Sequence, residues 1–174
     1  MTNISTPKSV LGAEYLRELN AEEKATRECL ENVPFDKFDW KPHEKSMQLG
    51  YLALLVSDMP RWIQHMIEFN LIDFETYEQF QGKTRDELLD HFDEAMELAR
   101  KSLTEMTDED LTKEFVLRHG ENVLMRSPVG ETISSTINHL VHHRGQLSVY
   151  LRLNDRTVPS IYGPSADVGG FGNL

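Results

Sequence analysis

The chain has 174 residues, a formal net charge of −11 and one cysteine. The length suits a single domain spanning residues 1–174 with a substantial core, and the acidic charge excludes nucleic acid as the main partner, because phosphate binding needs a basic surface. One cysteine excludes an intrachain disulfide or a cysteine zinc cluster, no apolar run is long enough to cross a bilayer, and the opening MTNISTPKSV lacks a secretory core, so a cytoplasmic protein is expected.

Residues 7–33 are predicted to form the first helix. Leu11, Tyr15, Leu19, Thr26, Leu30 and Val33 follow the three-four spacing of one face, while Glu22, Glu23, Lys24, Arg27 and Glu28 belong to a solvated face. Cys29 falls on the interior pattern and reads as a small core residue. Pro34 ends the run, and Phe35, Phe38 and Trp40 read as plugs for the end of the core. The second helix is expected over 46–70, with Ser46 as its N-cap. Leu49, Leu52, Ala53, Val56, Met59, Ile63 and Ile67 form its apolar face, widened by Leu55, Trp62 and Met66. Pro60 inside this helix removes a backbone hydrogen bond and predicts a kink.

A connection over 71–82 leads to a third helix over 84–106, opened by the capping-box pair Thr84 and Glu87. Its inner face carries Leu88, Phe92, Ala95, Met96, Ala99 and Leu103. A TDEDL turn follows. The period then shortens, and KEFVLR and NVLMRS around His119-Gly120-Glu121 predict a small hairpin within 113–127. The fourth long helix is expected over 130–153, and residues 154–174, rich in glycine and proline, form an extended tail. Pro159, Pro164 and Tyr162 are expected to hold residues 155–167 against the helices. Four amphipathic helices with one hairpin and a tail make an all-α four-helix bundle.

The charge is unevenly placed. Residues 121–174 balance four acidic side chains with Arg126, Arg144, Arg152 and Arg156, so the whole excess lies in the first 120 residues. Two readings stand: an acidic surface that keeps the chain soluble, or a last third that is more buried or more functional. Within that last third, His139 and His143 lie four apart, so a helix stacks their imidazoles on one face where they can hold a cation or form a hydrogen-bonded polar seam. Gln146 and Tyr150 continue the stripe. His142 points about 100° away, toward a surface or supporting role. Gly145, costly inside a helix, predicts close approach of another segment.

The string from His139 through His143-Arg144-Gly145-Gln146-Leu147, then Tyr150-Leu151-Arg152 and Pro159 to Asp167 with its Tyr-Gly-Pro-Ser-Ala-Asp, resembles the DinB-like family, which includes YfiT-like and bacillithiol-transferase proteins. Residues 40–62, from Trp40 through Leu49-Gly50 to Pro60-Arg61-Trp62, resemble that family's approach to its second helix. The resemblance implies a four-helix bundle holding a divalent metal, zinc or nickel, on three histidines. His139 and His143 match two of them, and the third position falls on Leu55, which cannot coordinate a metal. Two imidazoles hold such an ion weakly. Asp58, one turn beyond Leu55 but expected on the polar face, and His43, before the helix, are the nearest substitutes. His65 is too far along the helix.

The resemblance further implies a homodimer and a metal-dependent transferase or hydrolase acting with a low-molecular-weight thiol. Gln146, Tyr150 and Trp62 would then line the pocket, and Arg144 or Arg152 would hold an anionic group. The alternative is a non-catalytic protein that binds a small hydrophobic molecule in a cavity walled by Leu55 and the two histidines.

Overall fold

The protein is described here over residues 6–168 of a computed structural model. Helix α1 is Val10–Glu31, α2 is Leu49–Glu68, α3 is Arg85–Glu105, α4 is Asp108–Thr112 and α5 is Val129–Leu153. Strands β1 (Leu71–Asp73), β2 (Glu114–His119) and β3 (Asn122–Pro128) form a small sheet beside them. The four long helices make the bundle. Helix α2 packs on α3 and α5, as does α1, which leaves α1 and α2 diagonal to one another. Leu19, Leu30, Leu52, Met59, Phe92, Met96, Ile133 and Leu147 fill the space between them. Among the described residues, no helix is long and apolar enough to cross a membrane.

The helix starts follow two different rules. Ser9 caps α1 through its hydroxyl, and Thr84 with Glu87 forms the expected capping box at α3. Helix α2 begins two residues later than Ser46 as its cap would place it, after Gln48, with no side-chain cap. Backbone carbonyls do the work instead: the Leu49 amide donates to Trp40 at 2.8 Å and the Gly50 amide to Phe38 at 2.8 Å. The 35–40 connector therefore lies across the helix end. Phe35 and Phe38 stack at 4.6 Å, and a Cβ on Gly50 would come within 2.3 Å of the Phe38 ring.

The hairpin is present, with a bulge between Leu117 and Arg118, and Gly120 turns it at φ 57°. A third strand was not expected within the 71–82 connection. Asn70, in the left-handed region at φ 53°, reverses the chain after α2 and sends β1 along β2 in parallel, pairing Leu71 with Val116. Asp73 ties the corner by accepting from the Gly120 and Glu75 amides and from Arg118. These donors hold its carboxyl below the usual range, the Gly120 amide most strongly. The TDEDL turn is a short helix, because Thr107 and Asp110 form a second capping box.

Two polar positions on α1 and α5 depart from the sequence reading. Glu22 is buried rather than solvated, and Arg144 is only 1% exposed. Arg144 meets the Glu22 carboxylate at 2.6 Å and donates to Thr26 Oγ1 at 3.2 Å. It also donates to the Tyr162 hydroxyl at 2.9 Å, which in turn donates to Glu22 at 2.9 Å. The tail is thereby pinned to the bundle, with Pro159 buried and Val158 and Ile161 on the core. The glycines at 169, 170 and 172 assigned to the tail lie outside the described residues. Gly145 faces open space, with nothing within 4 Å of a Cβ built there, so close packing does not explain it. Leu11, assigned to the inner face of the first helix, is exposed. Cys29 is fully buried in the core, and burial pushes its thiol up to about 11.

Candidate functional site

Helix α5 places His139 and His143 a turn apart, as their spacing requires. Their Nε2 atoms meet at 2.8 Å, and His143 Nδ1 lies 2.7 Å from Gln146 Oε1. An amide oxygen only accepts, so His143 carries its proton on Nδ1 and presents its Nε2 lone pair to the Nε2–H of His139. His143 is buried, whereas His139 reaches the surface. His142 is exposed and lies edge-on to His143, at 5.0 Å between ring centres.

Burial lowers the pKa of both His139 and His143. The charges of neighbouring histidines act in the same direction, and the Gln146 bond opposes it at His143. Burial also lowers His65. These rings stay neutral in the fold, while an unfolded chain takes up protons near the ordinary value of 6.5. Below that value the unfolded state binds more protons, so stability should fall as pH drops through 6.5 toward the lowered folded values and be flat above it. Urea melts from pH 8 to 5 of the wild type and of a His139→Gln, His143→Gln variant check this. A drop of equal steepness in both proteins would remove the pair as its source.

Trp62 of α2 faces the pair, with its ring centre 6.0 Å from that of His139. Beneath them, between α2, the sheet and the first half of α5, lies an apolar cavity of about 260 Å³. Trp62, Met66, Phe115, Leu117, Thr136 and His139 are among its walls. Leu55 is buried and lines a neighbouring hollow that shares Trp62 and Phe74 with this cavity. The two chambers thus meet at Trp62.

The remaining sequence candidates go elsewhere. Asp58 is not on a polar surface: it is 1% exposed and accepts from Trp62 Nε1 at 3.2 Å, Tyr77 at 2.8 Å and His91 Nε2 at 2.8 Å. Three of its roughly four lone-pair sites already accept bonds inside the protein, so it is a poor substitute for the missing ligand. Tyr150 turns to Trp40, 5.5 Å between ring centres, and donates to the Met47 carbonyl. Arg144 is the buried partner of Glu22 and is not available to an anion, and Arg152 pairs with Asp167 at 2.6 Å. His43 is exposed, and its Nδ1 accepts from the Lys45 amide.

The donor set does not fit a three-ligand metal centre. His143 Nε2 offers one lone pair, and His139 offers a second only if its proton moves to Nδ1. By the sequence resemblance the third position falls on Leu55, which carries no donor atom. Among the described residues, no three His, Cys, Asp or Glu side chains gather that could hold an ion.

Sequence reasoning missed Met66, Phe115, Leu117 and Thr136 as cavity walls and His91 and Tyr77 as partners of Asp58. The walls read as ordinary apolar or small positions. Tyr77 and His91 carry no local signal, because their common partner lies 19 and 33 residues away in sequence.

A family model described as the DinB family matches residues 2–168. Solved structures of DinB-like proteins are similar in fold. A DinB-like protein from Bacillus subtilis superposes with a TM-score of 0.67 at 21% identity, covering 84% of this chain and 96% of that one. A DinB-like protein from Bacillus cereus gives 0.66 at 22% identity, covering 89% and 99%. No curated protein matches.

Proposed function

Because the chain belongs to the DinB family, we propose that it uses the family's helical bundle to bind a small, largely apolar molecule bearing one hydrogen-bonding head group. The observation that carries this reading is the 260 Å³ apolar cavity ending on His139, whose ring is fixed by His143 and, through it, by Gln146. An apolar body gains by leaving water, and one oriented polar group at the cavity end sets its direction. A second reading, a metal-dependent transferase or hydrolase working with a low-molecular-weight thiol, is favoured by the paired imidazoles alone. It needs a third ligand that the donor set lacks.

Calorimetric titration with 2-naphthol, a flat apolar body with one hydroxyl, tests the binding reading. The wild type should bind it. Ser135→Phe, which fills the cavity from the exposed side of α5, should abolish binding. His139→Ala should weaken it about tenfold, the loss of roughly one hydrogen bond. Equal binding by the wild type and Ser135→Phe would sink the reading. Zinc titration of the same preparations should show weak uptake by the wild type and a large gain in Leu55→His, where a third imidazole joins the pair. Tight, stoichiometric uptake by the wild type would instead favour the transferase or hydrolase.

A further inference from the structure

We propose that the cleft between α2 and α3, on the flank of α2 away from the histidine pair, is a second ligand site that takes a small zwitterion: an amino acid held by its carboxylate on Arg61 and by its ammonium on Glu94 and His91. The cleft has a volume of about 460 Å³ and is lined by Arg61, His65 and Phe69 at one side and His91, Glu94 and Leu98 at the other. Both sets follow helical spacing, so each helix presents one continuous stripe to the opening.

The charge pattern carries the proposal. In a chain of net charge −11, every arginine except Arg61 and Arg85 holds a carboxylate partner among the described residues. Arg85 is exposed at the start of α3. Arg61 is half-buried, lines the cleft and has no hydrogen bond or ion pair among the described residues. Its guanidinium lies over the Tyr77 ring at 5.5 Å, which fixes its position while leaving its N–H groups unspent. A guanidinium held this way matches a carboxylate with two parallel bonds. Glu94 lines the same cleft and pairs with no cation among the described residues.

His91 supplies a third polar contact. Its Nε2–H donates to buried Asp58 at 2.8 Å, and Phe80 stacks flat on its ring at 3.8 Å. With Nε2–H committed to Asp58, a neutral ring presents its lone pair on Nδ1, which has no partner among the described residues and in that form accepts from an ammonium. Phe69, Ala95 and Leu98 give the cleft an apolar portion for a side chain. His91, held by Asp58 and Phe80, and Arg61, lying over Tyr77, are positioned before binding, whereas the exposed Glu94 is ordered by it.

A thermal-shift screen of the full chain against the standard L-amino acids at millimolar concentration tests this. At least one should raise the melting temperature. In calorimetry that amino acid should lose about tenfold or more in affinity when its amino group or its carboxylate is removed, and equally in Arg61→Gln or Glu94→Gln. Arg61→Lys should keep part of the affinity, and Ser135→Phe should leave it unchanged, which separates this site from the cavity beside His139. Stabilisation by no amino acid would overturn the proposal. So would a deaminated analogue that binds as well as its parent, or an Arg61→Gln protein, folded by circular dichroism, that binds like the wild type.

Discussion

Asp58→Ala is expected to cost about 3–4 kcal/mol of stability, because it strands three donors in the interior at once. The carboxylate is the common acceptor for Trp62, Tyr77 and His91, which come from α2, the segment after β1, and α3. Alanine leaves an indole N–H, a phenol and an imidazole N–H without partners and opens a small void. Asp58→Asn keeps an acceptor oxygen and the volume, so its cost should be about half as large. The Tyr77 hydroxyl shows the other side of the same contact: burial, then the adjacent Asp58 charge, raise its pKa, so it stays a donor throughout the ordinary pH range. Urea denaturation of the two variants provides the measurement. A loss of less than ~1 kcal/mol in Asp58→Ala would mean that water reaches the three donors without difficulty.

Arg144→Ala should be at least as damaging, at about 3–5 kcal/mol, with a local consequence as well. It leaves the buried Glu22 carboxylate without its cation and removes one of the two bonds that hold the Tyr162 hydroxyl, leaving the one to Glu22. The tail should then loosen around Tyr162, between the Val158 and Asp167 anchors, and become more open to proteolytic cleavage there. The pair itself has a desolvation cost, so replacing both partners with apolar residues of similar volume, Arg144→Met with Glu22→Leu, should recover most of the lost stability while leaving the tail unpinned. A double mutant as unstable as Arg144→Ala would show that the damage comes from packing around the guanidinium rather than from a stranded charge.

These two residues also show how far the sequence could be read. The long helices were legible because their apolar residues recur at helical spacing, and the hairpin because that spacing breaks around Gly120. His139 and His143 were legible because their relation is local to one helix. Asp58, Glu22 and Arg144 were not. Each sits on a helix as an ordinary polar residue, and what distinguishes it is a partner on another element, 122 residues away for the Arg144 bond to Glu22. Ser46 was a reasonable cap by type, but the carbonyls of the preceding connector already satisfied the first amides of α2. Strand β1 escaped for a similar reason: three residues carry no usable period, and their pairing depends on a strand that is distant in the chain.

The hairpin has a consequence for the rate at which a molecule bound in the proposed cavity site would come and go. Strand β3 is the outer edge of the sheet, paired only to β2 across a bulge, with Val123, Leu124 and Met125 open to solvent. Met125 is also part of the cavity wall, together with Leu117 of β2. Phe74, Met125, Ser135 and His139 on the cavity rim are exposed, so the cavity already meets solvent, and movement of this one edge strand would widen it while the four packed helices stay as they are. Residence time in the proposed site would then depend on local opening of this strand as well as on the contacts of the bound molecule. A substitution that tightens the β2–β3 ladder would slow entry and escape together and leave the equilibrium affinity where it was.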